Sequence, residues 1–410
     1  MEERGDYSAQ YMGIILACSD FYQVQFEFLQ GFTGASSCWV RAGLINDRTP
    51  FQIDIPDAST QLLRQKLNLA TLPDERDEAG WDYGAPLSDI RRILSRLKDG
   101  SSWSLRDELD NAGWDYGAPL SDVRRLLARW KNGYDWRKYE AQINAELPQF
   151  TRDIDVEGFG ALNIHYVHQK SNVTGAIPLL FVHGWSRSFL KVQKILPLLF
   201  NGSDDHPAFH VVALSLPGYG FSEAPKTKGF GQHQYAEVMM NMITRRIAQI
   251  YGPKHSKAWH MNMPMSSGYM KEQNTMPHTI GYSLADSPVG LLAWIYEKLV
   301  TWTDDYPWED DEVLTWISIY LFSRAGPAAS LRIYYEANKG GLELAFTTDI
   351  ATTIPLGYSY FPEELSIFPR RWSFCCARTQ ALVDDVRKMF GKGGPAFSVV
   401  PGKTGYAEGL

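Results

Sequence analysis

At 410 residues the chain has room for one large α/β domain with attachments, or for two to three small domains. Its 44% hydrophobic and 21% charged content is that of an ordinary soluble globular protein, and a net charge of −7 argues against non-specific binding to nucleic acid while leaving a small neutral substrate open. Aromatic residues make up 13%, with 13 Trp and 21 Tyr, which fits a large core or, more sharply, an aromatic-lined apolar pocket.

The N-terminus, MEERGD, is acidic where a secretory signal would be basic. The apolar stretch from Tyr11 to Phe32 is broken by Asp20, Gln23, Glu27 and Gln30, so it makes a poor membrane span. Residues 1–48 carry no clear period and read as an unassigned leader. The four cysteines, Cys18, Cys38, Cys375 and Cys376, form no CxxC, and an adjacent pair cannot close an ordinary disulfide. Reduced thiols in a cytoplasmic or other intracellular compartment are the expectation.

Residues 72–133 contain a tandem duplication. LPDERDEAGWDYGAPLSDIRRILSRLKDG at 72–100 returns, offset by 33 residues, as LRDELDNAGWDYGAPLSDVRRLLARWKNG at 105–133. Each copy reads as a turn followed by an amphipathic helix, with Ser88 or Asp89 and Ser121 or Asp122 as N-caps and Gly100 and Gly133 as stops. Ile90, Leu94 and Leu97 form one apolar stripe, and Val123, Leu127 and Trp130 the other. Two copies are too few for a solenoid, so this is a local duplication.

Residues 134–175 read as a connector with short strands, among them GALNIHYVHQK at 160–170. IPLLFVHGW at 177–185 is a buried strand entering a turn, FLKVQKILPLLF at 189–200 has helical spacing, and HVVALSLPGYGFS at 210–222 is the next strand. Strand, helix, strand with short links implies a parallel sheet. From Tyr282 to Glu336 the pattern is helical, and VDDVRKMFGKG at 383–393 is a last helix with a glycine stop.

Taken in order, these segments resemble the microsomal-type epoxide hydrolases of the α/β-hydrolase fold, fungal members especially. PFQIDIPDASTQLLRQKL, AGWDYGAPLSD and WRKYEAQINAELPQF look like that family's N-terminal domain; FVHGW, LPGYGFSEAP, DSPVGLLAWIYEKLVTWTDD and GYSYFPEEL follow. The implied fold is α/β, an α/β-hydrolase with a parallel-rich sheet, a helical cap and an N-terminal meander. The implied division is a leader at 1–48, an N-terminal epoxide hydrolase domain at 49–175 with the duplication at 72–133, a first part of the core at 176–262, a helical cap at 263–345, and a C-terminal part of the core at 346–410.

The implied chemistry opens an epoxide through a carboxylate nucleophile and cleaves the resulting hydroxyalkyl ester with a His-activated water. Two phenols assist, because a phenol hydrogen-bonds a developing alkoxide without being ionised at neutral pH. The resemblance carries these roles to Tyr269 in SGYM and to Tyr334 in LRIYYE, with Tyr335 the alternative if the register slips by one. It makes Glu364 in FPEE the acid that orients the catalytic histidine, and sets Trp185 in the turn whose backbone N–H groups stabilise the oxyanion. Ser186 and Arg187 stand where the family has Pro-Gly after HGW. His183 reads as a structural turn residue, because it lies on the wrong strand for the base.

Two pieces of that machinery have no counterpart. The family sets a strand and Gly-Gly-Asp-Trp-Gly before a helix like ITRRIAQIYGPKH; here Met242 runs straight into Ile243. A Gly-Gly-His-Phe is expected between the FP-acid loop and the last helix; here RRWSFCCART leads into ALVDDVRKMF, and no histidine follows His278. Core strands are therefore expected to be missing, and catalysis impaired. Asp286 is the substitute carboxylate to consider; His233, His255 and His260 lie near the lost elbow without a supporting motif. An altered splice form, a mis-assembled gene and a decayed copy each account for the pattern.

The first functional expectation is hydrolysis of apolar or aromatic epoxides to vicinal diols, as in detoxification or aromatic compound catabolism. The second is a non-catalytic relative that binds apolar ligands or partners through the cap. A haloalkane-dehalogenase-like hydrolase is a third, and the paired tyrosines count against it. No HExxH, P-loop or GxGxxG occurs, so neither cofactor nor metal is expected. No nucleic acid or membrane span is expected either, and oligomeric state is left open.

Overall fold

A computed structural model describes residues 13–17, 48–69, 118, 120–243, 268–303, 306–339, 379–400 and 402–407. Among them are the strands β1 (Gly13–Ala17), β2 (Thr49–Pro50), β3 (Gln149–Val156), β4 (Gly160–Gln169), β5 (Ile177–His183) and β6 (Phe209–Leu214). They make one mixed sheet in the order β1–β5–β6–β4–β3–β2. β5 runs parallel to both its neighbours, and the pairings from β6 through β4 and β3 to β2 are antiparallel. IPLLFVH is buried at every position but Pro178, the pattern of a strand covered on both faces.

The leader supplies β1, whose residues pair with β5 so that Ala17 stands opposite His183. GIILA is short and uniformly apolar, so no period marks it as a strand and only its partner does. The rest of residues 1–47 lies outside the described residues.

The connector at 134–175 is more regular than its sequence suggests. It holds a helix, α3 (Trp136–Glu146), and then the long β3–β4 hairpin. Asp135 caps α3, its side chain accepting from the Arg137 N–H at 3.0 Å, while Trp136, Glu140 and Ile143 form the buried face. Gly158 and Gly160 take φ of 78° and 73° in the hairpin turn, a region that side chains with a Cβ rarely enter.

The other α-helices among the described residues are α1 (Asp57–Leu69), α2 (Leu120–Asn132), α4 (Val192–Leu199), α5 (Gln232–Ile243), α6 (Gly268–Thr275), α7 (Pro277–Asp286), α8 (Pro288–Thr301), α9 (Asp310–Leu321), α10 (Arg332–Lys339) and α11 (Thr379–Phe390). α8 starts on a cap, the Ser287 Oγ accepting from the Gly290 N–H at 3.0 Å with Pro288 in the first turn. It packs against α7 and α9, and α6 packs against α10.

α2 is the helix of the second duplicated copy. It starts at Leu120, so Asp122 sits inside its first turn and accepts from the Tyr296 hydroxyl at 2.9 Å. Val123, Leu126, Leu127 and Trp130 are buried, facing α1, α8 and α9. Arg129 grips Asp311 with two hydrogen bonds of 2.6 and 2.7 Å, and Arg125 pairs with Asp310. The first copy's helix lies outside the described residues.

Candidate active site

β5 ends in His183, and the turn that follows carries Trp185. Sheets of this kind gather chemistry at the carboxyl ends of their parallel strands. The turn is clasped from the helical side. The Trp316 indole N–H donates to the Ser186 carbonyl at 3.2 Å, the Tyr320 hydroxyl to the Arg187 carbonyl at 2.7 Å, and the Arg187 guanidinium to the Trp302 carbonyl at 3.3 Å. Ser186 and Arg187, the departure from Pro-Gly, are thus held in place by α9 and the end of α8.

Trp185 is fully buried against an aromatic cluster. Its ring stacks on Tyr269 from α6, centroids 5.2 Å apart and 9° from parallel. Tyr334 from α10 meets Trp185 edge-on at 6.0 Å and Tyr269 edge-on at 5.8 Å. Trp302, the residue after α8, lies 4.9 Å from Tyr269 and 5.9 Å from Trp185. Trp294 stands behind, 6.3 Å from Trp185. Edge-on and offset rings are the arrangements their quadrupoles favour.

Tyr269, Tyr334 and Trp185, three residues singled out in the sequence, are therefore together. Tyr334 is the member of the Tyr334–Tyr335 pair that joins the cluster; Tyr335 is half-buried further along α10. Glu364 lies outside the described residues, as do His255 and His260. His233 is exposed at the start of α5. The Asp286 side chain is 87% exposed and paired with Lys66 at 3.0 Å, on the surface and occupied.

His183 is 1% exposed, with Nδ1 donating to the Gly184 carbonyl at 3.2 Å and Nε2 accepting from the Leu216 N–H at 3.3 Å. Burial lowers its pKa to about 4, so it is a neutral imidazole with both nitrogens committed to the backbone.

Sequence reasoning missed the cluster's charged edge. Lys298 is 4% exposed on α8, ion-paired with Glu297, and its ammonium lies 5.6 Å from the Tyr269 ring centroid and 4.7 Å from that of Trp294. The i,i+4 spacing of Trp294 and Lys298 was the available signal. A cation there is attracted by the ring faces. No group of His, Cys, Asp and Glu among the described residues is arranged to hold a metal ion.

Comparison with known proteins gives the same lineage by an independent route. The family model for the epoxide hydrolase N terminus matches residues 48–109 and again 95–192, and that for the alpha/beta hydrolase fold matches 177–256. A protein of Stigmatella aurantiaca (strain DW4/3-1) assigned by name to the epoxide hydrolases is 32% identical, covering 79% of this chain and 76% of its own. Epoxide hydrolase 1 of Sus scrofa is 30% identical, covering 79% of this chain and 80% of its own. The structure of an enantioselective mutant of the Aspergillus niger epoxide hydrolase is 24% identical, with a TM-score of 0.62 over 85% of this chain and 97% of that one.

Proposed function

The chain belongs to the epoxide hydrolase family of the α/β-hydrolase fold, and we propose from that premise that the Trp185–Tyr269–Trp302–Tyr334 cluster binds apolar aromatic epoxides and assists their opening. The convergence of the two phenols on Trp185, with ring centroids 5.8 Å apart, is the observation that carries this reading. Indole faces bury an aryl group, and phenol O–H groups are the donors that address an oxirane oxygen.

In the reaction a carboxylate oxygen forms an ester bond to one epoxide carbon while the C–O bond of the ring breaks. A tyrosine proton passes to the leaving oxygen, and water later restores the phenol. Hydrolysis of the ester needs a base; His183 is held to the backbone and no histidine follows His278. Turnover is impaired on this reading, and the ester accumulates.

Intact-mass measurement after incubation with styrene oxide tests it. A gain of one epoxide per chain, removed by hydroxylamine, is expected, and peptide mapping then identifies the carboxylate. Asp286, 87% exposed and paired with Lys66, is not expected to carry it. The second reading, a non-catalytic binder, is favoured by the carboxylate at the cluster's edge, since Glu297 is tied up with Lys298. It predicts reversible binding with no gain in mass.

A further inference from the structure

Four residues after Tyr269, Gln273 takes the other buried position of α6. The two share one helix face, about 6 Å apart along the axis. Gln273 is 0% exposed, and neither its Oε1 nor its Nε2 has a hydrogen-bond partner. A buried primary amide left wholly unpaired is rare, because each unpaired group forfeits its hydration for nothing in return. Two polar groups at the cluster are unpaired as well: the Ser186 hydroxyl, next to Trp185 and 0% exposed, and the buried indole N–H of Trp294. A site for a purely hydrocarbon epoxide has no use for an amide. A ligand with its own donor and acceptor does.

We propose that Gln273 is a specificity residue which pairs with an amide- or hydroxyl-type group carried by the substrate about one helical turn from the oxirane. This rests on the reading of the Tyr269–Tyr334 cluster as the epoxide site and narrows its substrates to aryl epoxides with a polar tail. The carboxamide Oε1 accepts from the ligand's N–H or O–H, and the Nε2 donates to its oxygen. Sites built around such a group discriminate strongly against ligands that leave it unpaired.

The test uses two stable vicinal diols, 1-(4-carbamoylphenyl)ethane-1,2-diol and its 4-isopropyl counterpart, titrated calorimetrically into the full chain. The carboxamide is expected to bind about ten-fold more tightly than the isopropyl compound. In Gln273→Met, whose flexible side chain fills similar space, that preference is lost or reversed, and the melting temperature of the free protein rises. A structural role for Gln273 gives the opposite thermal result: the variant melts lower and both diols weaken together, which overturns the proposal. Equal affinity of the unaltered chain for the two diols overturns it without any variant. Failure of both diols to bind overturns the epoxide-site reading along with it, so the two failures are distinct.

Discussion

Trp185 and Tyr269 lie face to face, 5.2 Å between centroids and 9° from parallel, joining the turn after β5 to the first turn of α6. The stack ties the carboxyl end of β5 to the helical layer, and Trp185 is at its centre, in contact with Tyr334 and Trp302 as well. Trp185→Ala is expected to cost about 3–5 kcal/mol of stability, the range for truncating a buried tryptophan. Trp185→Phe keeps an aromatic face and is expected to cost less than half of that. Urea unfolding of the two variants measures both; equal loss contradicts the stacking role.

The two phenols are expected to contribute unequally to ring opening. Tyr334→Phe lowers the rate of styrene oxide consumption by about a hundred-fold, within the range for loss of a proton donor. Tyr269→Phe is the milder change, because its stacked ring keeps the aryl group positioned. Rates with protein in excess over epoxide, measured for the single and double variants, decide this. Additive effects in the double variant contradict two donors acting on one oxygen.

Acid is expected to destabilise the protein through three neutral histidines. Burial lowers the pKa of His165 to about 3 and those of His168 and His183 to about 4. His165 is fully enclosed, with Nδ1 2.9 Å from the Ser215 Oγ and Nε2 3.0 Å from the Gln149 Oε1. In the unfolded chain each titrates at its ordinary value near 6.5. The unfolded state therefore binds more protons between those two limits. Stability is flat in this respect above pH 6.5 and falls as pH drops toward 4, by up to about 1.4 kcal/mol per pH unit for each histidine. Denaturant midpoints from pH 7.5 to 4.5 check this. A slope unchanged in His165→Asn contradicts the contribution assigned to His165.

Leu126 is fully buried in α2, which packs against α1, α8 and α9, and Leu126→Ala is expected to cost about 2–5 kcal/mol. Urea unfolding measures the loss, and an unchanged midpoint contradicts that packing.

Much of the architecture was legible. The buried run IPLLFVH, the helical spacing of 189–200 and the stripe Val123, Leu127, Trp130 each state a period that local physics enforces. β1 was not legible, since five apolar residues in a leader acquire a role only from the edge they pair with. Of the aromatic cluster, Tyr269, Tyr334 and Trp185 were named in the sequence through the resemblance. Trp302, Lys298 and Gln273 were not, because helical period tells which face is buried and is silent on what that face meets. Gln273 in particular reads as an ordinary polar residue until its burial is known. Glu364 lies outside the described residues, so its orienting role is carried only by the resemblance.

Whether the paired tyrosines open an epoxide is tested most directly by consumption of styrene oxide by excess purified chain, set beside folded Tyr334→Phe. Up to one equivalent consumed per chain is expected, with the variant slower by about a hundred-fold. Consumption no faster than in buffer, or equal in the two proteins, would contradict it.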